Sequence, residues 1–212
     1  RMVATLLVPT VDVSHEEKPY TPSFGNGTSM TGYVWKKMAV KEDAIALESD
    51  LDAIIIRYAE TLLNYAEACY ELENKISDDD LNISINMLRE RVGMPHLTNA
   101  FVQGDNPISL KLDMQAEIRR ERLVELANEG FRYDDLLRWG IAQDVLPLPL
   151  VGIPDLREYY PKVNENVWKK VKNGFLEVQP TTTRTFEDKH YLWPIPLVQI
   201  ALNENLEQNP GW

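Results

Sequence analysis

Residues 56–69 read Ile56-Arg57-Tyr58-Ala59-Glu60-Thr61-Leu62-Leu63-Asn64-Tyr65-Ala66-Glu67-Ala68-Cys69, and their spacing decides the fold class. With the preceding isoleucine included, Ile55, Ala59, Leu62, Ala66 and Cys69 recur at alternating steps of four and three, the apolar stripe of an α-helix. Tyr58, Leu62, Tyr65, Cys69 and Leu72 make a flanking stripe that predicts a wide buried face. The alanines admit a neighbouring helix at close range. Ser77-Asp78-Asp79-Asp80 then offers an N-cap and favourable first-turn charge to a second helix. That helix carries Leu81, Ile85, Leu88 and Val92, with Gly93 at the C′ position and Pro95 barring continuation. Two helices joined by a short polar turn form an αα-hairpin of about the 34-residue size of a tetratricopeptide unit.

Outward from this hairpin, a loop over 94–112 precedes a second helical pair. Asp113 is placed to cap a helix running through Asn128 to Gly130, and a shorter helix is expected over about 134–142. The fold expected is mainly α, with tetratricopeptide-like pairs in a core over 44–142. Before the core, residues 1–43 form a loop-rich lead-in punctuated by Pro9, Pro19, Pro22, Gly25, Gly27 and Gly32. After it, 143–212 is proline- and aromatic-rich. It reads as a long irregular tail whose Tyr159, Tyr160, Trp168, Phe175, Tyr191, Trp193 and Trp212 pack on the helices. The opening run, Arg1 to Pro9, reads as a β-strand begun in mid-domain, which suggests a fragment of a longer protein.

The 212 residues suffice for a substantial core, and 44% hydrophobic with 26% charged residues is ordinary globular composition. A net charge of -11 opposes nucleic-acid partners and anionic lipid surfaces, but places no veto on a neutral sugar. The lone Cys69 sits in the apolar helix and reads as a small buried hydrophobe. No apolar run is long enough to span a bilayer.

Residues 117–132 concentrate charge. Glu117, Glu121, Glu125 and Glu129 recur at spacing four, and Arg122, Arg132 and Arg138 could face them, with Asp134 and Asp135 near by. A carboxylate metal site in a bundle needs Glu-x-x-His pairs, which are lacking. His15, His96 and His190 are scattered in loops, and His15-Glu16-Glu17 reads as solvated surface, so no metal and no cofactor is expected. A pair of glycosidase carboxylates is the other catalytic option, but arginines around them hold the ionised form, which is wrong for a general acid. The reading adopted is a structural ion-pair network of Glu121, Arg122, Glu125, Glu129, Arg132, Asp135 and Arg138. No nucleophile elbow, phosphate loop, dinucleotide fingerprint or zinc spacing occurs, so no catalytic residue is expected.

The same stretch, Ile118-Arg119-Arg120-Glu121-Arg122 through Glu125-Leu126, Glu129-Gly130-Phe131-Arg132 and Asp135-Leu136 to Arg138-Trp139, resembles a signature of the SusD/RagB family. Thr31-Gly32-Tyr33 with Lys36-Lys37, then Ile56 to Ala68, then Trp193-Pro194-Ile195-Pro196 with Asn205 to Trp212, are similar to three more of its segments, in the family's order. The resemblance implies the C-terminal portion of a SusD-like α/α superhelix. It implies a lipoprotein on the extracellular face of the outer membrane, anchored by a lipid on a preceding part, that binds oligosaccharide or polysaccharide and serves a SusC-like TonB-dependent transporter. A peptide-binding scaffold of the same family is the alternative, and a glycoside hydrolase a distant one. The motifs themselves read as scaffold. Ligand contacts are expected from loop aromatics, whose flat rings cover the C–H face of a sugar: Tyr20, Phe24 and Trp35 early, Tyr159, Tyr160 and Trp168 late.

Overall fold

The computed structural model describes residues 5–7, 29–38, 52, 54–104, 112–161 and 163–212. The chain forms two compact units, Arg1–Thr5 with Lys36–Arg132, and Leu6–Trp35 with Tyr133–Trp212.

The first unit is helical. Helix α1, Tyr58–Glu73, ends where Asn74 takes a left-handed conformation at φ 53°. Ala59, Leu62, Leu63 and Ala66 are buried on it, and Cys69 and Tyr70 are half-buried against the same core. The buried face is therefore centred on Leu63, not on the expected flanking stripe. Tyr58, Tyr65 and Leu72 are exposed, as is Ile55 ahead of the helix. The second helix expected over 77–92 is broken into α2, Asp78–Asn82, and α3, Ile85–Arg91. Ser77 caps α2 by accepting the Asp80 N–H at 3.0 Å. The break lies at Ser84, whose hydroxyl donates to the Asp80 carbonyl at 2.5 Å. That carbonyl is the one its own N–H would take in an unbroken helix, a local competition that serine is prone to. Leu81, Ile85 and Leu88 nevertheless stay on the buried side.

The stretch read as a loop contains a short helix α4, Asn99–Gln103, capped by the Thr98 hydroxyl. Buried Asn86 fixes its approach: it accepts from the Leu97 N–H at 2.6 Å and donates to the Leu97 carbonyl at 2.9 Å. Asp113 caps helix α5, Met114–Glu125, at 2.7 Å from the Ala116 N–H. The helix stops short of the expected Asn128, which sits at φ 64°. Helix α5 packs on α1 and α3, and Met114, Ile118 and Leu126 complete the core. Helix α6, Phe131–Arg138, starts three residues earlier than expected.

The second unit corrects the reading of the tail. After α7, Ala142–Val145, three strands form an antiparallel sheet in the order β1–β3–β2: β1 is Leu150–Pro154, β2 Val171–Lys172 and β3 Phe175–Gln179. Asn173 and Gly174, both at positive φ, turn β2 into β3 with Lys172 opposite Phe175. A two-residue hairpin of right-handed twist requires that conformation. Ile153, Leu176 and Trp168, the last on helix α8, Glu165–Trp168, are buried, whereas Tyr159 and Trp193 are each 77% exposed. Not every aromatic of this segment packs inward. Of the expected opening strand, Leu6 bridges Trp35 and the Leu7 N–H reaches the Val34 carbonyl. Helix α9, Leu197–Leu202, buries no residue. No described helix is long and apolar enough to cross a membrane.

The segment at Thr31 is held to the sheet by the Ile153 N–H at 2.9 Å. Gly152 makes this possible, since a Cβ there would lie 2.2 Å from the Thr31 carbonyl oxygen. Gly152→Ala is expected to push that segment off the sheet and lower Tm, with the loss of the Ile153 hydrogen bond visible as faster amide exchange at Ile153.

Candidate functional site

The largest concentration of ionisable groups surrounds α5. Its innermost pair is Arg89 of α3 with Glu121, at 2.6 Å, the two side chains 1% and 0% exposed. The Arg89 Nε donates to the Pro95 carbonyl at 2.6 Å, and its guanidinium lies 5.3 Å from the Phe101 ring centroid. Arg120 bridges Glu117 and Glu121 at 2.7 and 3.0 Å. Two of the four carboxylates in the spacing-four line are thus neutralised inside the helical unit.

The other two are met by cations from distant parts of the sequence. Arg57, just ahead of α1, reaches Glu129 through Nε and Nη2, both at 2.7 Å, and Glu125 at 3.2 Å. Arg91 adds 2.7 Å to Glu125, and Lys37 pairs with Glu129. Lys37 also donates to the Glu125 carbonyl at 2.6 Å and the Ala127 carbonyl at 3.1 Å, while Arg57 reaches the Glu125 carbonyl at 3.1 Å. The Glu125 carbonyl belongs to the last residue of α5, so two cations cap the C-terminus of that helix where its dipole favours positive charge.

Burial pushes the Glu129 carboxyl up, but hydrogen bonds and charge from Arg57 and Lys37 outweigh it and hold the group below its ordinary value. Arg57 is raised in turn, chiefly by its hydrogen bond to Glu129. A depressed carboxyl stabilises the fold above its unfolded-state pKa, and loses that contribution as pH falls through the folded value.

The expected network is placed as follows. Glu121, Glu125 and Glu129 take cations from Arg89, Arg57, Arg91 and Lys37. Arg122 donates to Asn64 at 2.7 Å and lies 5.4 Å from the Phe131 ring centroid. In the second unit, Asp135 pairs with Arg138 at 2.8 Å. Arg132 is half-buried in the helical unit. The sequence reading missed Lys37, Arg57 and Arg89 as partners, although the first two stand inside motifs it had quoted. Their distance along the chain hid the pairing. No group of three or more His, Cys, Asp or Glu side chains able to hold a metal occurs among the described residues.

Of the loop aromatics, Tyr20 and Phe24 lie outside the described residues. Trp35 is 50% exposed and Tyr159 77%, both in the second unit. Tyr160 is half-buried, and Trp168 has its faces taken up by packing at 5% exposure. Among the described residues no ring contact joins Trp35 to Tyr159 or Tyr160. Asp155 and Arg157, a few residues earlier in the chain, are paired at 2.7 Å, and hydrogen bonding to Arg157 holds the Asp155 carboxyl below its ordinary value.

The chain as a whole is similar to known proteins. The SusD family matches residues 11–212, and the chain belongs to that family. It is 31% identical over 112 residues to SusD-like protein P38 of Formosa agariphila, an alignment covering 53% of this chain and 22% of that protein. A solved SusD-like carbohydrate binding protein of Bacteroides fragilis superposes with a TM-score of 0.68 at 26% identity, covering 95% of this chain and 40% of that one. A second SusD-like protein of the same species gives 0.64 at 27% identity, over 99% of this chain and 38% of that one. The chain therefore spans well under half the length of these relatives.

Arg89→Met is expected to lose about 3–5 kcal/mol of stability by stranding a buried carboxylate, whereas Arg89→Met with Glu121→Leu recovers most of that loss. Denaturant unfolding of both variants checks it. Glu129→Gln is expected to lower stability at neutral pH and flatten its decline into acid, read as Tm against pH.

Proposed function

We propose that this chain is the C-terminal part of a non-catalytic, lipid-anchored protein on the extracellular face of the outer membrane. It binds oligosaccharide or polysaccharide and passes it to a SusC-like TonB-dependent transporter. In this reading the 1–43 lead-in, 44–142 core and 143–212 tail together form one part of a longer binding protein. The lipid is carried by a preceding part.

The observation that carries the proposal is the SusD family match along nearly the whole chain. The relative described as carbohydrate binding supports the ligand class. The chemistry of the chain agrees. The carboxylates of the charged centre are engaged by cations, so they serve packing rather than proton transfer. Exposed Trp35 and Tyr159 offer flat apolar faces beside polar loop groups, the surface that stacks on a sugar ring. Tyr160, half-buried, can contribute an edge, and Tyr20 and Phe24 extend the set from the lead-in. Trp168, buried, belongs to the packing of the second unit.

Affinity electrophoresis of the full-length protein in gels cast with polysaccharides tests the ligand class. Retardation is expected in at least one neutral polysaccharide without release of reducing sugar. Trp35→Ala and Tyr159→Ala are each expected to weaken it about two- to tenfold, the worth of one aromatic stacking contact. Retention on peptide columns with no response to any glycan would replace the ligand class by peptide. Purification from outer membranes is expected to bring down a large β-barrel.

A further inference from the structure

The second unit contains a hollow of about 420 Å³ that the reading above does not use, lined by Tyr133, Thr185, Phe186, His190, Trp193 and Trp212 among others. Its size falls within the range of about 300–1,000 Å³ usual for small-molecule sites.

The walls are held by a set of tail contacts. Gln208 accepts the Ile195 N–H at 2.8 Å and donates to the Ile195 carbonyl at 2.9 Å, and Asn209 donates to the Trp193 carbonyl at 2.6 Å. Gly211, at φ 86°, turns the chain back, and a Cβ there would lie 2.9 Å from the Cβ of Lys189. Trp212 is held by several contacts, though 46% exposed. Its indole N–H is shared by the Lys189 and Leu192 carbonyls at 2.9 and 3.0 Å. Lys189 Nζ lies 5.3 Å from its ring centroid, and His190 meets it edge-on at 5.5 Å.

Trp193 is the opposite case. Its backbone is pinned, yet its ring is 77% exposed, with no ring contact or side-chain hydrogen bond among the described residues. A large apolar ring on a rigid backbone is a preorganised stacking platform. Tyr133, Thr185 and His190 line the same hollow, and the two hydroxyls and the His190 Nε2 make no side-chain hydrogen bond among the described residues. The His190 Nδ1 accepts the Glu187 N–H at 2.8 Å, which places the proton of the neutral ring on Nε2 as a donor toward a ligand. No Asp, Glu, Lys or Arg is among the described residues lining the hollow.

We infer that this hollow is a second carbohydrate-contact site, built to take one neutral sugar residue stacked on Trp193. The inference rests on the glycan-binding reading and adds a place and a charge class to it. Apolar ring and scattered single donors match the C–H face and hydroxyl edge of a pyranose. No charged side chain is among the described lining residues, Lys189 being engaged by the Trp212 ring, and the net charge of -11 disfavours uronic acids and sulfated sugars.

The test uses the full-length protein with ¹⁵N-labelled tryptophan, the indole signals of Trp193 and Trp212 being assigned with Trp193→Phe and Trp212→Phe. D-glucose, D-galactose, D-mannose and D-glucuronate are titrated separately. At least one neutral hexose is expected to shift both signals, with glucuronate weaker by about tenfold, or 1.4 kcal/mol. Thr185→Ala and Tyr133→Phe are each expected to weaken that hexose about three- to tenfold, as loss of single hydrogen bonds does. The inference is overturned if no neutral hexose moves the Trp193 signal, if glucuronate binds as well, or if acrylamide fails to reach Trp193 because other parts of the protein cover it. Unmoved indoles in a protein still retarded by polysaccharide gels remove this site alone. Loss of all glycan binding removes the parent reading as well.

Discussion

The helical unit depends on the Arg89–Glu121 pair. Both groups are removed from water, and the guanidinium is further engaged by the Pro95 carbonyl and the Phe101 ring. Such a pair adds little net stability against an apolar substitute, but it penalises every arrangement that separates the two charges. It therefore acts on register. Helix α3, the turn at Pro95 and helix α5 can approach in only one way that leaves neither charge stranded, and the apolar core of Leu63, Leu81, Ile85 and Ile118 closes around that arrangement.

Much of this was legible in the sequence. The three-and-four spacing located α1, Ser77 and Asp113 acted as caps, and Gly93 took its positive φ. The misses have local causes. Periodicity counted Tyr58, Tyr65 and Leu72 as buried because it sees a face and not its centre; Leu63, on the side of the first stripe away from those residues, is fully covered together with Ala66. The break at Ser84 came from one hydroxyl competing with one amide, an effect invisible to spacing. The hairpin at Asn173-Gly174 carried a recognisable turn signal, but the surrounding prolines drew the reading toward an irregular tail.

The charged centre shows a different limit. The carboxylates were evident from the spacing of Glu121, Glu125 and Glu129, but their partners were sought close by in sequence, at Arg122, Arg132 and Arg138. The cations arrive instead from Lys37, Arg57, Arg89 and Arg91. Three motifs quoted separately for the family resemblance thus meet at one place: the lysine after Thr31-Gly32-Tyr33, the arginine before Tyr58-Ala59-Glu60, and the glutamates of the charged helix. Their meeting in this chain is electrostatic. The surface aromatics carried no comparable signal, since packing and ligand contact ask for the same residue types.

The double cap on α5 also bears on how the chain acquires its shape during synthesis. Lys37 must find carbonyls and a carboxylate 88 to 92 positions later, and Arg57 a carboxylate 72 positions later. Contacts of such separation form late, because the loop they close must be ordered before they repay it. A polypeptide emerging from its amino end holds both cations idle until residue 129 has appeared. On contact separation alone the hairpin of α1 to α3 is expected to assemble before the cap, which then acts as a latch on the completed unit.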